Sequence, residues 1–304
     1  MIYIFYHKRD LDGYCSGAIT RYYHEKILRT EVKMYPFDYG DDFPFDEIKE
    51  GSTVLMVDVT VNPYEVLEEV ARRYKLFVID HHKSFVGWVK EHPNVNGAFK
   101  VGLSASEIAW RHFFHKKEMP NLVRLLGRYD VWDNADQKQW WDQIMPIQMG
   151  MKSYKTDPST IEGFQFWVEY FDKCLSPQNK AFELENQIRL DGYTIIDYQK
   201  AEDAKTVSLY AFDAEFEGMK AICLNTTRFN SQVYESVWDN TKYDIMLAWV
   251  CVQGKRYSVS LYTDKEGIDV SAIARKYDGG GHLQAAGFQC KNVRIDNGSI
   301  IIEK

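Results

Sequence analysis

The sequence has few cysteines, and they lie far apart. Five cysteines are spread over 304 residues, and no two of them form a Cys-x-x-Cys pair. An odd and scattered set is typical of reduced thiols, so we expect neither a disulfide framework nor a zinc site with cysteine ligands. This cysteine usage favours a cytoplasmic protein.

Long apolar segments and linkers are lacking as well. No apolar run approaches the roughly 20 residues that a membrane-spanning helix needs. The apolar segment 1–6 is too short for the core of a signal peptide, because charged residues follow it at once. The sequence also has no internal repeat and no linker rich in proline or serine. We therefore expect a cytosolic protein with a soluble substrate and no membrane partner.

Positive charge is in deficit. The chain has 37 Lys and Arg against 44 Asp and Glu, for a net charge of −7. That balance argues against bulk coating of nucleic acid or of an anionic membrane. With 45% hydrophobic and 27% charged residues, the chain has the composition of a globular protein, and its length suffices for two domains.

The first half of the chain alternates strand and helix patterns. Apolar runs predict strands over residues 2–6, 53–59 and 76–79, and helical spacing predicts helices over 16–28, 63–74 and 104–114. This repetition predicts an α/β fold in which a doubly wound, mainly parallel sheet places function at the carboxyl ends of its strands.

The second half changes period twice. Residues from about 120 to 199 have a mostly helical pattern rich in tryptophan, and we interpret those aromatic side chains, Trp132, Trp140, Trp141 and Trp167 among them, as core. Strands are predicted over 207–212, 220–224, 245–252 and 257–262, before a helix over 270–276 and a glycine-rich turn over 279–281. The prediction is an N-terminal domain over residues 1–190 with a helical connector from about 120, a boundary within 190–205, and a smaller α/β domain over 200–304.

Aspartate and histidine side chains follow the three predicted strands. They are His7, Asp10 and Asp12 after the first strand, Asp58 after the second, and Asp80, His81 and His82 after the third. If these strands are neighbours in one parallel sheet, the carboxylates meet at its edge and repel one another unless cations compensate them. Carboxylate and imidazole donors without thiolate suit Mn²⁺ first, with Mg²⁺, Fe²⁺ or Co²⁺ as alternatives. We therefore expect two divalent metal ions that activate a water for attack on a phosphate.

The motifs resemble those of the DHH phosphoesterase family. Asp10-x-Asp12 is similar to the first family motif, Asp58 to the second, Asp80-His81-His82 to the third and Asp130 to the fourth, with Asp133 as an alternative. The resemblance implies that His7, Asp10 and Asp58 bind one metal ion and that Asp12, Asp58, His81 and Asp130 bind the other. It also implies that Asp80 orients the imidazoles and that His82 faces the substrate phosphate. One departure is that His7 precedes Asp10 by three residues, where many family members have four.

A glycine-rich segment near the C-terminus extends the resemblance. Three consecutive glycines precede His282, more than a helix C-cap requires. Backbone N–H groups without side chains approach an anion closely. The segment resembles the GGGH signature of the DHH-associated C-terminal domain, which implies that Gly280, Gly281 and His282 bind the substrate phosphate or terminal nucleotide. Relatives often carry an arginine in the upstream strand where this chain has Tyr262.

These features predict a phosphodiesterase or phosphatase acting on short RNA or DNA oligonucleotides or on small nucleotides. A polyphosphatase or pyrophosphatase is the first alternative, because a glycine-rich loop binds any phosphate chain. A RecJ-like single-strand exonuclease and a non-catalytic nucleotide sensor are the others; the sensor predicts a broken ligand set, and this set is intact apart from the spacing of His7. Whether the protein forms a homodimer is left open.

Overall fold

The protein, represented by a computed structural model that describes residues 1–176 and 180–304, forms two compact units. They are Met1–Ile196 and Asp197–Lys304, and the boundary falls inside the long helix α9 (Phe182–Tyr210). Within the described ranges, no helix is both long enough and apolar enough to span a membrane.

Unit 1 is built on a five-stranded parallel sheet. Its strands are β1 (Ile2–His7), β2 (Val32–Phe37), β3 (Thr53–Val57), β4 (Lys75–Asp80) and β5 (Asn96–Phe99). They lie in the order β2-β1-β3-β4-β5, and every neighbouring pair is parallel. The chain leaves β1 toward one side of the sheet and returns on the other as β3. The carboxyl ends of β1 and β3 therefore form the switch point at which such sheets bind ligands.

Helices cover both faces of this sheet. They are α1 (Leu11–Tyr22), α2 (Tyr64–Arg73), α3 (Lys83–Val89), α4 (Ala105–Phe113), α5 (Asn121–Asp130), α6 (Gln137–Gln139), α7 (Met145–Met151) and α8 (Ile161–Leu175). Alternate residues of β1 enter different cores, as the two-residue period of a strand requires. Ile4 packs with α1, α4 and α5, and Phe5 packs with α2 and α3. The predicted doubly wound α/β fold is confirmed.

Unit 2 contains an eight-stranded mixed sheet and the helix α10 (Val270–Lys276). Its strands are β6 (Phe212–Phe216), β7 (Met219–Asn225), β8 (Ile245–Val252), β9 (Arg256–Tyr262), β10 (Gly280–His282), β11 (Ala285–Cys290), β12 (Asn292–Asp296) and β13 (Ser299–Glu303). The order is β10-β11-β9-β8-β7-β6-β13-β12, so β10 forms one edge. Val270, Ile273 and Ala274 of α10 are buried in the core of this unit.

Two predictions about secondary structure are wrong. Residues 207–210, predicted to begin a strand, belong to the end of α9, and the strand starts only at Phe212. A short apolar run is compatible with a strand or with a buried helix face, and Val207 is buried on the helix. Residues 279–281 are predicted as a turn, but Gly280 and Gly281 belong to the strand β10, in which Gly280 pairs with Gly287 of β11.

The interpretation of the connector tryptophans as core is correct for only two of the four. Trp140 and Trp167 are buried, whereas Trp132 is 60% and Trp141 38% exposed. Trp132 lies beyond the end of α5 in the left-handed backbone region, with φ of 55°. Trp132 is therefore not part of the apolar face of α5, and helical periodicity does not apply to it.

Candidate metal centre

The carboxyl ends of β1, β3 and β4 bring the predicted histidines and aspartates together. His7 ends β1, Asp58 directly follows β3, and Asp80 ends β4. Asp58 adopts φ of 61°, a left-handed conformation that aspartate and asparagine tolerate better than most residues. Its backbone N–H donates to the carbonyl of Ile79 at 2.9 Å, which fixes the residue beside β4.

One group of candidate ligands consists of His7, Asp10 and Asp58. The Nδ1 atom of His7 lies 2.7 Å from Oδ2 of Asp10 and 3.6 Å from Oδ2 of Asp58. Asp10 is the N-cap of α1, and its other oxygen accepts the N–H of Gly13 at 2.8 Å. A Cβ atom on Gly13 would lie 2.1 Å from the carbonyl oxygen of His7. Glycine at this position therefore lets α1 begin directly against the end of β1.

A second group consists of Asp12, His81 and Asp130. The Nε2 atom of His81 lies 3.3 Å from Oδ2 of Asp130 and 4.0 Å from Oδ2 of Asp12. The Asp12 carboxylate also accepts the N–H groups of Ala105 at 2.8 Å and Ser106 at 3.1 Å. The N-terminus of α4 thus holds Asp12 in place and stabilises its negative charge.

Asp58 connects the two groups. Its Oδ1 atom lies 3.2 Å from Nε2 of His81, while Oδ2 faces Nδ1 of His7. Each carboxylate oxygen is thus directed to a different histidine. This is the arrangement that a carboxylate shared by two cations requires.

The structure distinguishes Asp130 from its alternative, Asp133. Asp130 is the last residue of α5 and points to His81. Asp133 lies beyond the helix, where its Oδ2 accepts from Nη1 of Arg128 at 3.1 Å. The same arginine also bonds to Glu107 of α4.

Asp80 and His82 form a separate pair. Oδ1 of Asp80 accepts the backbone N–H of His82 at 2.8 Å and lies 2.8 Å from Nδ1 of the same residue. Asp80 is fully buried, while the His82 side chain is partly exposed. The predicted orienting contact of Asp80 is therefore present for His82. A ring nitrogen of His82 also lies within 4.8 Å of ligand atoms of Asp58 and His81.

The electrostatics of these buried carboxylates favours a bound cation. Burial and the negative charge of Asp12 raise the pKa of Asp58 well above its usual range. Burial and the charges of Asp12 and Asp58 raise the pKa of Asp130 to about 8. Burial lowers the pKa of His7, but the neighbouring carboxylates of Asp10 and Asp58 outweigh it and raise that pKa to about 10. Ionised carboxylates at this density need positive charge close by.

The donor atoms fit a divalent cation. Nδ1 of His7 and Oδ2 of Asp130 are buried and make no hydrogen bond to any described residue. Each belongs to one of the two groups above: Nδ1 of His7 faces the carboxylates of Asp10 and Asp58, and Oδ2 of Asp130 faces Nε2 of His81. Oxygen and imidazole donors without sulfur suit Mn²⁺ and Mg²⁺ better than a thiolate-seeking metal.

Two residues at the same edge were missed by the sequence analysis. Asp38 and Tyr39 follow β2 directly. Oδ1 of Asp38 lies 3.4 Å from Nε2 of His7, and the Tyr39 hydroxyl lies 3.3 Å from Nδ1 of His82. The rule that placed the other residues, a polar side chain directly after a strand, finds both once β2 is recognised.

The glycine-rich strand β10 is exposed at the edge of the unit 2 sheet. A Cβ atom on Gly279 would lie 2.2 Å from the carbonyl of Gly287, and Gly281 has φ of 142°, so packing and backbone conformation demand these glycines. Nothing lies within 4 Å of a Cβ atom on Gly280. Its glycine is not required by the fold, which fits a position that a ligand approaches closely. His282 is likewise exposed.

Comparison with known proteins agrees with this architecture. A family described as "DHH family, N-terminal domain" matches residues 1–126. An uncharacterized protein of Acanthamoeba polyphaga mimivirus, R106, is 24% identical, covering 96% of this chain and 68% of that protein. The structure of PggH from Vibrio cholerae, a pGpG-specific phosphodiesterase, is similar with a TM-score of 0.54 and 12% identity, covering 95% of this chain and 93% of that one. An exopolyphosphatase-related protein from Bacteroides fragilis is similar with a TM-score of 0.47 and 12% identity, covering 96% of this chain and 87% of that one.

Proposed function

We propose that the chain hydrolyses short oligonucleotides or small nucleotide phosphates with two divalent cations, because its residues 1–126 match the N-terminal domain of the DHH family. The family and the class of enzyme predicted from the motifs are confirmed by that match. The proposal concerns the substrate, the number of cations and the residues that hold them.

The observation that carries the proposal is the position of Asp58 between two ligand groups. His7, Asp10 and Asp58 would hold one cation, and Asp12, Asp58, His81 and Asp130 the other. We propose Mn²⁺ as the ion for both. When bound, the cations supply Lewis-acid activation of water and neutralise the charge of the phosphate.

The chain's own side chains bind and orient the substrate. Nδ1–H of His82 donates a hydrogen bond to Asp80. Nε2 is therefore left to donate to a phosphate oxygen. The contact with Asp80 raises the pKa of His82 above its usual value, so that Nε2 carries a proton in a larger fraction of molecules and donates to the anion. A hydrogen bond with such a charged donor is stronger than one between neutral groups.

Two features support small nucleotide substrates over long nucleic acid. The net charge of −7 disfavours a long polyanion. The exposed edge at Gly280 presents backbone N–H groups suited to a single phosphate or a terminal nucleotide. The GGGH resemblance of unit 2 remains a prediction.

The experiment that tests the proposal is a substrate panel with Mn²⁺. The panel contains a linear diribonucleotide, a trinucleotide, a 24-mer RNA and inorganic polyphosphate. We expect phosphate-ester cleavage of the di- and trinucleotides, with kcat/KM falling by more than about tenfold, or 1.4 kcal/mol, for the 24-mer. The fold shared with PggH makes a linear dinucleotide the first substrate to test. Release of phosphate from polyphosphate alone would contradict the proposal.

Replacing His282 by alanine is expected to weaken substrate binding. Loss of one charge-assisted contact to the substrate predicts a KM about tenfold higher, while kcat changes by less than about threefold. The exposed His115 of unit 1, which belongs to neither ligand group, offers His115→Ala as a matched control with unchanged kinetics. Initial rates on the dinucleotide over a range of substrate concentrations separate the two constants. A fall in kcat without a change in KM would contradict the assigned role of His282.

A further inference from the structure

Tyr39 contacts two histidines at the edge of the proposed site, His7 and His82. Its ring is packed edge-on against the rings of His7 and His82, with centroids 5.6 Å and 5.8 Å away. Its hydroxyl is 3.3 Å from Nδ1 of His82. The residue is nevertheless 41% exposed. Tyr39 therefore stands at the surface of the centre, beside the histidine that we propose faces the phosphate.

The turn that carries Tyr39 is anchored by two consecutive basic residues. The Nζ atom of Lys8 lies 2.5 Å from Oδ2 of Asp41, and Arg9 forms an ion pair with Asp38. Oδ2 of Asp41 also accepts the N–H of Asp38 at 2.9 Å. Lys8 and Arg9 directly follow His7, the last residue of β1. The segment just after β1 therefore anchors this turn beside the proposed site. Tyr39 is thus fixed on a supported turn and does not extend freely into solvent.

The hydrogen bonds around His82 leave the Tyr39 proton without an acceptor. Oδ1 of Asp80 already accepts the backbone N–H of His82, so we place the hydrogen of its 2.8 Å contact with the His82 ring on Nδ1. A protonated Nδ1 cannot accept a bond from the Tyr39 hydroxyl. Within residues 1–176 and 180–304, that hydroxyl makes no other side-chain hydrogen bond. Its O–H is therefore available to an acceptor that arrives from solvent.

We propose that the Tyr39 hydroxyl is a substrate-binding donor to a non-bridging oxygen of the bound phosphate. The proposal rests on the proposed function and adds to it a residue from the turn after β2, outside the four acidic and histidine motifs. The phosphate oxygen accepts a hydrogen bond from the Tyr39 hydroxyl, and a neighbouring oxygen accepts one from Nε2 of His82. Two neighbouring donors recognise a phosphate group more specifically than one.

The test compares Tyr39→Phe with wild type in the full chain loaded with Mn²⁺. Phenylalanine keeps the ring contacts with His7 and His82 and removes only the hydroxyl. We expect the Kd for inorganic phosphate, measured by calorimetry, to rise about tenfold, and the KM for a dinucleotide to rise with it. The Mn²⁺ affinity and the melting temperature should stay those of wild type. Tyr35→Phe is the matched control, because Tyr35 lies in β2 and donates to Glu47 at 3.0 Å, outside the centre.

Three results would overturn the proposal. Unchanged phosphate affinity in Tyr39→Phe would show that the hydroxyl does not touch the anion. A parallel loss of Mn²⁺ affinity would assign the residue a structural role in the metal centre. If the Mn²⁺-loaded wild-type protein binds no measurable phosphate, Tyr39 has no phosphate to bind, and the proposal fails. Because binding of phosphate is measured without turnover, failure of this proposal is distinguishable from failure of the proposed hydrolytic activity.

Discussion

Asp58→Asn is expected to abolish turnover while leaving the protein folded. Loss of a group that hydrogen-bonds to a metal ligand lowers metal affinity or activity roughly 10–100-fold. Loss of a ligand shared by two cations should therefore lower kcat by more than about 10³-fold. Asparagine is the informative substitution because it accepts the left-handed backbone at this position, with φ of 61°, whereas alanine adds strain. Steady-state rates on a dinucleotide with Mn²⁺ measure the loss.

The stability of the same variant separates chemistry from folding. In the absence of metal, the ionised carboxylate of Asp58 is unfavourable, because it is buried and repelled by Asp12. Neutral asparagine removes that repulsion, so at neutral pH the metal-free variant should melt at a temperature equal to or above that of wild type. The stabilisation that wild type gains from saturating Mn²⁺ should shrink. Near-normal turnover by Asp58→Asn would contradict the shared-ligand assignment.

Asp130→Asn and Asp133→Asn form a matched pair with opposite expected results. Asp130 is directed at His81, with its Oδ2 3.3 Å from Nε2, and its loss should lower kcat/KM by about 100-fold, or 2.7 kcal/mol. Asp133 is a partly exposed partner of Arg128, and exposed ion pairs contribute only about 0–1 kcal/mol. We therefore expect Asp133→Asn to retain activity within about twofold. Rates for both variants at saturating Mn²⁺ provide the comparison, and the reverse order of effects would assign the fourth motif to Asp133.

The position of the candidate site was predictable because its polar residues follow apolar runs that form neighbouring strands of one sheet. His7, Asp58 and Asp80 each stand at the end of an apolar run, and in a parallel sheet those ends meet at one edge. Asp10 and Asp12 follow the first of these runs closely. The family motif added Asp130, which ends α5, a helix whose approach to the sheet no periodicity reveals. The structure brings all of them except Asp80 into the two ligand groups, and Asp80 contacts His82 instead. Their roles as ligands stay predictions.

The residues around Tyr39 were missed for a physical reason. Strand β2 contains Pro36, and proline within a run argues against a central strand. The structure places β2 at the edge of the sheet, where one side of the backbone needs no partner and proline is tolerated. Because β2 was not recognised, the polar residues that follow it, Asp38 and Tyr39, were not assigned to the site. The offset of His7 to three residues before Asp10 does not prevent its approach, since Nδ1 lies 2.7 Å from Asp10.

Predictions for the C-terminal unit failed where a pattern fits two structures. The run after residue 204 is apolar enough for a strand, yet α9 continues to Tyr210 because Val207 is buried as part of a helix. Three glycines indicate a turn, yet Gly280 and Gly281 begin β10, because glycine at 279 and 281 allows close contact with β11. Tertiary packing decided both cases.

The central claim is that two cations share Asp58, and the number of Mn²⁺ ions bound per chain tests it most directly. Calorimetric titration of the metal-free wild-type protein, with metal analysis of the loaded protein, should give two ions per chain. Asp58→Asn should bind fewer ions or bind them with an affinity at least about 100-fold lower. A wild-type protein that saturates with one ion, or an Asp58→Asn variant that binds two ions as tightly as wild type, would contradict the account.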